Sequence, residues 1–115
     1  MEGTILKKLV IIGASGHGKV IADIAMKNGY KKIVFLDDNE SIKRCAGFSV
    51  IGKVEKAQKI NGDKIVAIGN TEIRKRIQES LTGVITLIHP KAIISRRVKI
   101  GCGSVVMAGA IINSD

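Results

Sequence analysis

Aromatic side chains are almost missing from this sequence. Tyr30, Phe35 and Phe48 are the whole set, and tryptophan is absent. Single-stranded nucleic acid is held largely by stacking bases on aromatic faces, so that platform is lacking. Cysteine is sparse too. Cys45 and Cys102 lie far apart and match no metal-ligand spacing, so two free thiols in a reducing compartment are expected, and no metal site. No apolar run approaches the ~20 residues that a membrane span needs. The opening Met1-Glu2-Gly3-Thr4 lacks the basic start and cleavage site of a signal peptide. A soluble cytoplasmic protein with no membrane partner is the expectation.

Acidic residues are the remaining shortage. Ten Asp and Glu stand against 19 Lys and Arg, a formal net charge of +9. The basic residues are scattered as Lys7-Lys8, Lys31-Lys32, Lys43-Arg44, Arg74-Lys75-Arg76 and Arg96-Arg97. Scattered charge without aromatics argues against a nucleic-acid partner. A basic surface around an anionic small molecule, such as a nucleotide or coenzyme A, fits better.

What the chain has is Ile and Val. Hydrophobic residues make up 45% of its 115 positions, enough for the core of a compact domain, and the β-branched bias favours strands. The most informative stretch is Leu9-Val10-Ile11-Ile12 followed by Gly13-Ala14-Ser15-Gly16-His17-Gly18. An apolar run meets a glycine-rich loop, and the loop opens into a helical pattern with Val20, Ile21, Ile24 and Ala25. That is strand, tight turn, helix. The glycines allow a sharp turn, and the unpaired N–H groups of the helix start suit an anion such as phosphate.

The alternation continues along the chain. Ile5–Ile12 is the first strand, and a helix runs from about Gly16 to Asn28, with Gly29 after it. Ile33-Val34-Phe35-Leu36 is a buried strand ending at the turn signal Asp37-Asp38-Asn39. Residues 41–47 read as loop, 48–52 as a short strand or turn, and 54–60 as a short helix with Val54, Ala57 and Ile60 inward. Lys64–Ile68 is a strand. Asn70 or Thr71 caps a helix reaching Leu81, with Ile73, Ile77 and Leu81 on one stripe. Thr86-Leu87-Ile88 adds a further strand. The order β-α-β-(α)-β-α-β predicts an α/β fold, an open Rossmann-like parallel sheet over residues 1–88.

At His89-Pro90 the pattern changes. Ile94, Ile100, Val106 and Ile112 recur every six residues, and the small or modest Ala92, Val98, Ser104 and Ala110 each stand two places earlier. A six-residue period fits neither an α-helix nor a simple hairpin. It fits the first rungs of a parallel β-helix over 89–115, in which a coil takes ~18 residues. About one coil is too little to bury its own face, so the chain reads as the front of something longer.

Ligands of open α/β sheets bind outside the carboxyl ends of the strands. Ser15, Gly16 and His17 follow the first strand, Asp37 and Asp38 the second, and Gly69 and Asn70 a later one. All fall at that edge. The carboxylates of Asp37 and Asp38, 24 and 25 positions after Gly13, can accept hydrogen bonds from a ribose or a base. The loop departs from the dinucleotide fingerprint G-x-G-x-x-G because Ser15 holds the middle glycine position. An NAD(P)-binding module of an oxidoreductase or nucleotide sensor is therefore the alternative reading, weakened by Ser15 and by the six-residue repeat. Arg74, one turn into its helix, is within reach of a phosphate or faces solvent. His89 at the junction reads as structural.

The loop Gly-Ala-Ser-Gly-His-Gly, then Phe35-Leu36-Asp37-Asp38, Ala67-Ile68-Gly69-Asn70 with Glu72-Ile73-Arg74, Leu87-Ile88-His89-Pro90 and the hexapeptides together resemble one bacterial family. It is the hexapeptide-repeat sugar acetyltransferases, notably UDP-4-amino-sugar N-acetyltransferases and sialic-acid O-acetyltransferase-like relatives. The resemblance implies a Rossmann-like domain that binds a nucleotide-sugar such as a UDP-amino-sugar. It implies a left-handed β-helix, a homotrimer, and acetyl-CoA held between neighbouring β-helices. It places nucleotide-sugar contacts on Ser15, Gly16, His17, Asp37, Asp38 and Gly69, with Asn70 added from its position. The family's catalytic base is a histidine followed by an acidic residue, deeper in the β-helix. Here His17 is followed by Gly18 and His89 by Pro90. The resemblance therefore implies an acetyltransferase activity for a longer protein, with neither the catalytic residue nor the acetyl-CoA site in these 115 residues.

Overall fold

The structure is a computed structural model that describes residues 7–88, 90–91, 93–94, 105–106 and 111–112. In chain order the elements are β1 (Lys8–Ile12), α1 (Gly16–Lys27), β2 (Lys32–Leu36), β3 (Arg44–Cys45), β4 (Phe48–Ser49), a 3-10 helix (Val54–Lys59), β5 (Asp63–Val66) and α2 (Thr71–Glu79). Four two-residue strands follow: β6 (Leu87–Ile88), β7 (Ile93–Ile94), β8 (Val105–Val106) and β9 (Ile111–Ile112). The expected start of the first strand at Ile5 lies outside the described residues.

β1 is the middle of a three-stranded parallel sheet ordered β2-β1-β5. Ile11 stands in register with Phe35 on one side and Ile65 on the other. Successive side chains of β1 point to opposite faces, and both faces are covered. Leu9 and Ile11 pack with Ile21, Ile24 and Ala25 of α1. Val10 and Ile12 pack with Ala57 of the 3-10 helix, and Ile77 and Leu81 join that cluster. Burial on two sides is why Leu9–Ile12 reads as an unbroken apolar run: all four are 0% exposed. At about 1.5–3 kcal/mol for each fully buried aliphatic side chain, this strand is the largest local contribution to the core.

The helices end where their residues dictate. α1 stops at Asn28, and Gly29 follows with φ +90°, so the chain can reverse into β2. The Asn70 side chain accepts from the Ile73 N–H at 3.0 Å and caps α2. On that helix the expected stripe is only partly realised. Ile77 and Leu81 are half-buried, whereas Ile73 is exposed, because the first turn stands above the carboxyl end of β5, where the sheet has stopped. The short helix expected at 54–60 is a 3-10 helix with Ala57 buried.

Two segments flank the sheet through single parallel bridges, Val50 against Phe35 and Val84 against Lys64. The outer position beyond β5 is therefore taken at Val84, not by the strand expected at Thr86-Leu87-Ile88. Leu87–Ile88 pair instead with Val105–Val106, and Ile93–Ile94 pair with Ile111–Ile112, both parallel and both eighteen positions apart. The chain leaves the sheet after the Ile85 N–H bonds the Lys64 carbonyl at 2.9 Å, although Leu87 stays buried in the α1-side core. Residues 41–47, expected as loop, contain β3, which forms an antiparallel hairpin with β4. Among the described residues no helix is long and apolar enough to cross a membrane.

Two features yield tests. The hairpin turn is Ala46-Gly47, and both residues have positive φ, 51° and 84°. Asn-Gly suits such a two-residue turn, whereas a β-carbon on a left-handed Ala is strained. Ala46→Asn is expected to stabilise the protein by about 1 kcal/mol, read as a higher urea midpoint at unchanged m-value. At the opposite end of the sheet, buried Tyr30 donates to Asp63 Oδ2 at 2.6 Å. Burial first, then this bond and the Asp63 charge, raise the Tyr30 pKa well above its usual 10.0. A phenol whose pKa is raised on folding contributes stability that is complete below pH 10 and is lost as pH rises beyond it. Unfolding scans should show this alkaline loss, and Tyr30→Phe should remove it while lowering stability by about 1–3 kcal/mol at neutral pH, since Asp63 loses its partner.

Candidate functional site

The strand order places a reversal beside β1. The chain passes from β1 to β2 on one side and later reaches β5 on the other, with α1 and α2 on opposite faces. The loops after β1 and β5 therefore lead to opposite faces from neighbouring strand ends, the edge where open α/β sheets take ligands.

The glycine loop stands at that edge. Gly13 has φ +114°, and a β-carbon on it would come within 2.7 Å of the Ala67 carbonyl oxygen. A β-carbon on Gly18 would come within 2.4 Å of the Gly13 carbonyl oxygen and 2.9 Å of the Phe35 ring. These two glycines are required by packing. Gly16 and Gly69 are different: a β-carbon on either has nothing within 4 Å, so both face open space. The first glycine of the loop makes the turn, the last lets α1 approach, and the open one lies at the helix start.

α1 begins without a side-chain cap. Ser15 holds the N-cap position, but its hydroxyl bonds no backbone N–H of the helix. Ser15, Gly16 and His17 are all exposed. The helix start therefore keeps its unpaired N–H groups and its positive dipole end available. That is the local requirement for an anion site, and the Ser15 hydroxyl adds a further donor.

The acidic pair after β2 is placed beside the loop. Asp37 is half-buried, and its Oδ2 accepts from the Ala14 N–H at 2.8 Å. Its Oδ1 accepts from the Asn39 N–H, also at 2.8 Å. Asp38 is exposed, and its Oδ1 accepts from the Val54 N–H at the start of the 3-10 helix, at 2.9 Å. The loop after β5 closes the other side. Gly69 and Asn70 are exposed, with the Asn70 side-chain oxygen engaged in capping α2. Arg74 is half-buried, and its backbone N–H bonds the Asn70 carbonyl at 2.9 Å. His89 lies outside the described residues.

Beside Asp37 opens a cleft of about 460 Å³ that sequence reasoning missed. Ile42, Val50 and Ile51 supply apolar lining, while Glu40, Lys43 and Lys53 supply charge. Lys53 and Glu40 pair at 3.3 Å. The signal was faint, since these residues come from a stretch without strong periodicity. Cys45, buried beneath the glycine loop, donates its thiol to the Ser15 carbonyl at 3.7 Å, and burial foremost raises its pKa. Among the described residues no group of three His, Cys, Asp or Glu side chains lies close enough to hold a metal ion.

Substitutions at the four glycines separate folding from binding. Gly13→Ala and Gly18→Ala are each expected to destabilise by about 3 kcal/mol, through strain or backbone overlap. Gly16→Ala and Gly69→Ala should change stability by no more than about 0.5 kcal/mol. Chemical denaturation of the four variants checks the split.

Known proteins share this fold. The family described as PglD N-terminal domain matches residues 8–81. The UDP-N-acetylbacillosamine N-acetyltransferase of Bacillus subtilis (strain 168) is 36% identical over 113 residues, which covers 90% of this chain and 52% of that protein. The acetyltransferase domain of PglB from Neisseria gonorrhoeae FA1090, solved with acetyl coenzyme A, superposes with a TM-score of 0.83 at 42% identity, covering 92% of this chain and 55% of its own. A mutant perosamine N-acetyltransferase from Caulobacter crescentus, solved with CoA and GDP-perosamine, gives a TM-score of 0.81 at 27% identity, covering 99% of this chain and 58% of its own. The chain thus spans about half the length of these relatives.

Proposed function

The chain belongs to the PglD N-terminal domain family, and from that premise we propose that it is the nucleotide-sugar-binding part of an acetyl-CoA-dependent sugar N-acetyltransferase. The observation that carries this reading is the uncapped start of α1, set at the switch point of the sheet between an acidic turn and the Gly69-Asn70 loop. In this reading the diphosphate of a UDP-amino-sugar, or of a related nucleotide-sugar, lies against Ser15, Gly16 and His17. Asp37 and Asp38 flank the nucleoside side. Gly69 and Asn70 border the sugar side, where the open space over Gly69 leaves room.

Two of the solved relatives support the substrate class, since one holds GDP-perosamine with CoA and another holds acetyl coenzyme A. Acetyl-CoA is then the second substrate of the longer enzyme, and no catalytic residue is assigned within this chain. We also read residues 89–115 as the start of a left-handed parallel β-helix that trimerises in the longer protein. The two parallel pairings at an eighteen-residue offset support that reading, because six-residue sides wound in threes repeat at that length. The same reading makes 1–88 the substrate domain.

The test is ligand-dependent stabilisation of the chain itself. At a ligand concentration of 100 times Kd, UDP should add about 2.7 kcal/mol to the unfolding free energy, and NAD should add nothing measurable. Gly16→Ala, whose β-carbon enters the proposed anion position, should weaken UDP binding about tenfold without unfolding the chain. Stabilisation by NAD with none by UDP supports the dinucleotide alternative and contradicts this one.

A further inference from the structure

Asp37 and Asp38 stand side by side after β2, yet their carboxylates are engaged differently. Asp37 joins three segments. It accepts from the Ala14 N–H of the glycine loop and from the Asn39 N–H of its own turn, and its backbone N–H donates to the Gly52 carbonyl at 3.0 Å. Asp38 has one carboxylate oxygen on the Val54 N–H, and among the described residues its other oxygen carries no bond. The loop that Asp37 holds has little slack. Ala14 is 6% exposed, Gly13 is fixed against Ala67, and the Cys45 thiol donates to the Ser15 carbonyl.

This arrangement changes which donors an anion can meet. The Ala14 N–H is already taken by a carboxylate. Donors left at the loop include the Gly16 and His17 N–H groups of the first helical turn and the Ser15 hydroxyl. If Asp37 turned toward a ligand, it would leave a buried N–H without a partner, which is unfavourable. Asp38 can turn its free oxygen at no such cost.

We propose that Asp37 is a positioning residue that holds the glycine loop in its anion-binding form, and that Asp38 is the member of the pair that reaches the ligand. This rests on the nucleotide-sugar reading above. It divides a pair that sequence alone treats as equivalent, and it makes the loop's affinity for a bare diphosphate depend on a residue that never touches it.

The experiment titrates the wild-type chain, Asp37→Asn and Asp38→Asn with UDP, and then with inorganic pyrophosphate as a competitor of UDP. Pyrophosphate carries the anion without base or ribose. Asp37→Asn should weaken UDP and pyrophosphate by a similar factor, about tenfold. Asp38→Asn should weaken UDP and leave pyrophosphate within about twofold. An Asp37→Asn variant that loses affinity for UDP alone overturns the proposal while leaving the functional reading in place. So does an Asp38→Asn variant that binds UDP normally, or pyrophosphate that does not compete. If the wild-type chain binds neither probe, the functional reading fails and this proposal fails with it. Amide hydrogen exchange on the wild-type chain gives an answer that does not depend on a variant folding. The Ala14 N–H should stay protected when UDP saturates the site, and its release on binding overturns the proposal.

Discussion

The carboxyl edge of this protein depends on how the chain leaves β1. A strand buried on both faces must turn at once into a helix on one face, with β5 directly alongside. Gly13 makes that turn at φ +114°, with the Ala67 carbonyl where a side chain would otherwise be. The Gly13 N–H bonds the Leu36 carbonyl at 2.8 Å, and the Ala67 N–H bonds the Ile12 carbonyl at 2.7 Å. The three strands therefore end together, and the loops that follow them start from one edge. This shared ending brings the α1 start, the acidic turn and the β5 loop to one edge of the sheet.

The same constraint explains the chemistry of the loop residues. Gly18 must be small because α1 crosses the Gly13 carbonyl and the Phe35 ring. Gly16 is under no such demand, so its open space is available to a guest. Ser15 sits where the dinucleotide fingerprint has its middle glycine, and its hydroxyl is left free by the helix it precedes. The loop is closely packed at Gly13 and Gly18 and open at Gly16. The bonds that the Ala14 N–H donates to Asp37 and the Cys45 thiol donates to the Ser15 carbonyl hold that form from two sides.

Much of this was legible in the residues. β1, β2 and β5 were visible as Ile- and Val-rich runs, α1 by its apolar stripe and Gly29, and α2 by Asn70, whose capping bond the structure shows. The hairpin was not. Arg44-Cys45-Ala46-Gly47 has one buried side chain and an Ala at a position suited to Asn, so neither periodicity nor turn chemistry marked it. The sheet contact at Val84 was hidden because the more apolar Thr86-Leu87-Ile88 lies just beyond it, and that segment pairs with Val105–Val106 instead. For the candidate site, sequence placed Ser15, Gly16, His17, Asp37, Asp38, Gly69 and Asn70 at one edge. It could not show that Asp37 accepts two backbone N–H groups, because an aspartate's acceptors are satisfied by whatever the fold brings near.

The central claim is that this edge receives a nucleotide-sugar. It is tested most directly by titrating the isotopically labelled chain with UDP and following its backbone amide resonances. The account predicts saturable shifts that are largest at Ser15, Gly16, His17 and Asp38, with smaller ones at Gly69 and Asn70, and none in the Lys31-Lys32 region at the far end of the sheet. Shifts that fail to saturate, or that centre on the lysine-rich end, contradict it.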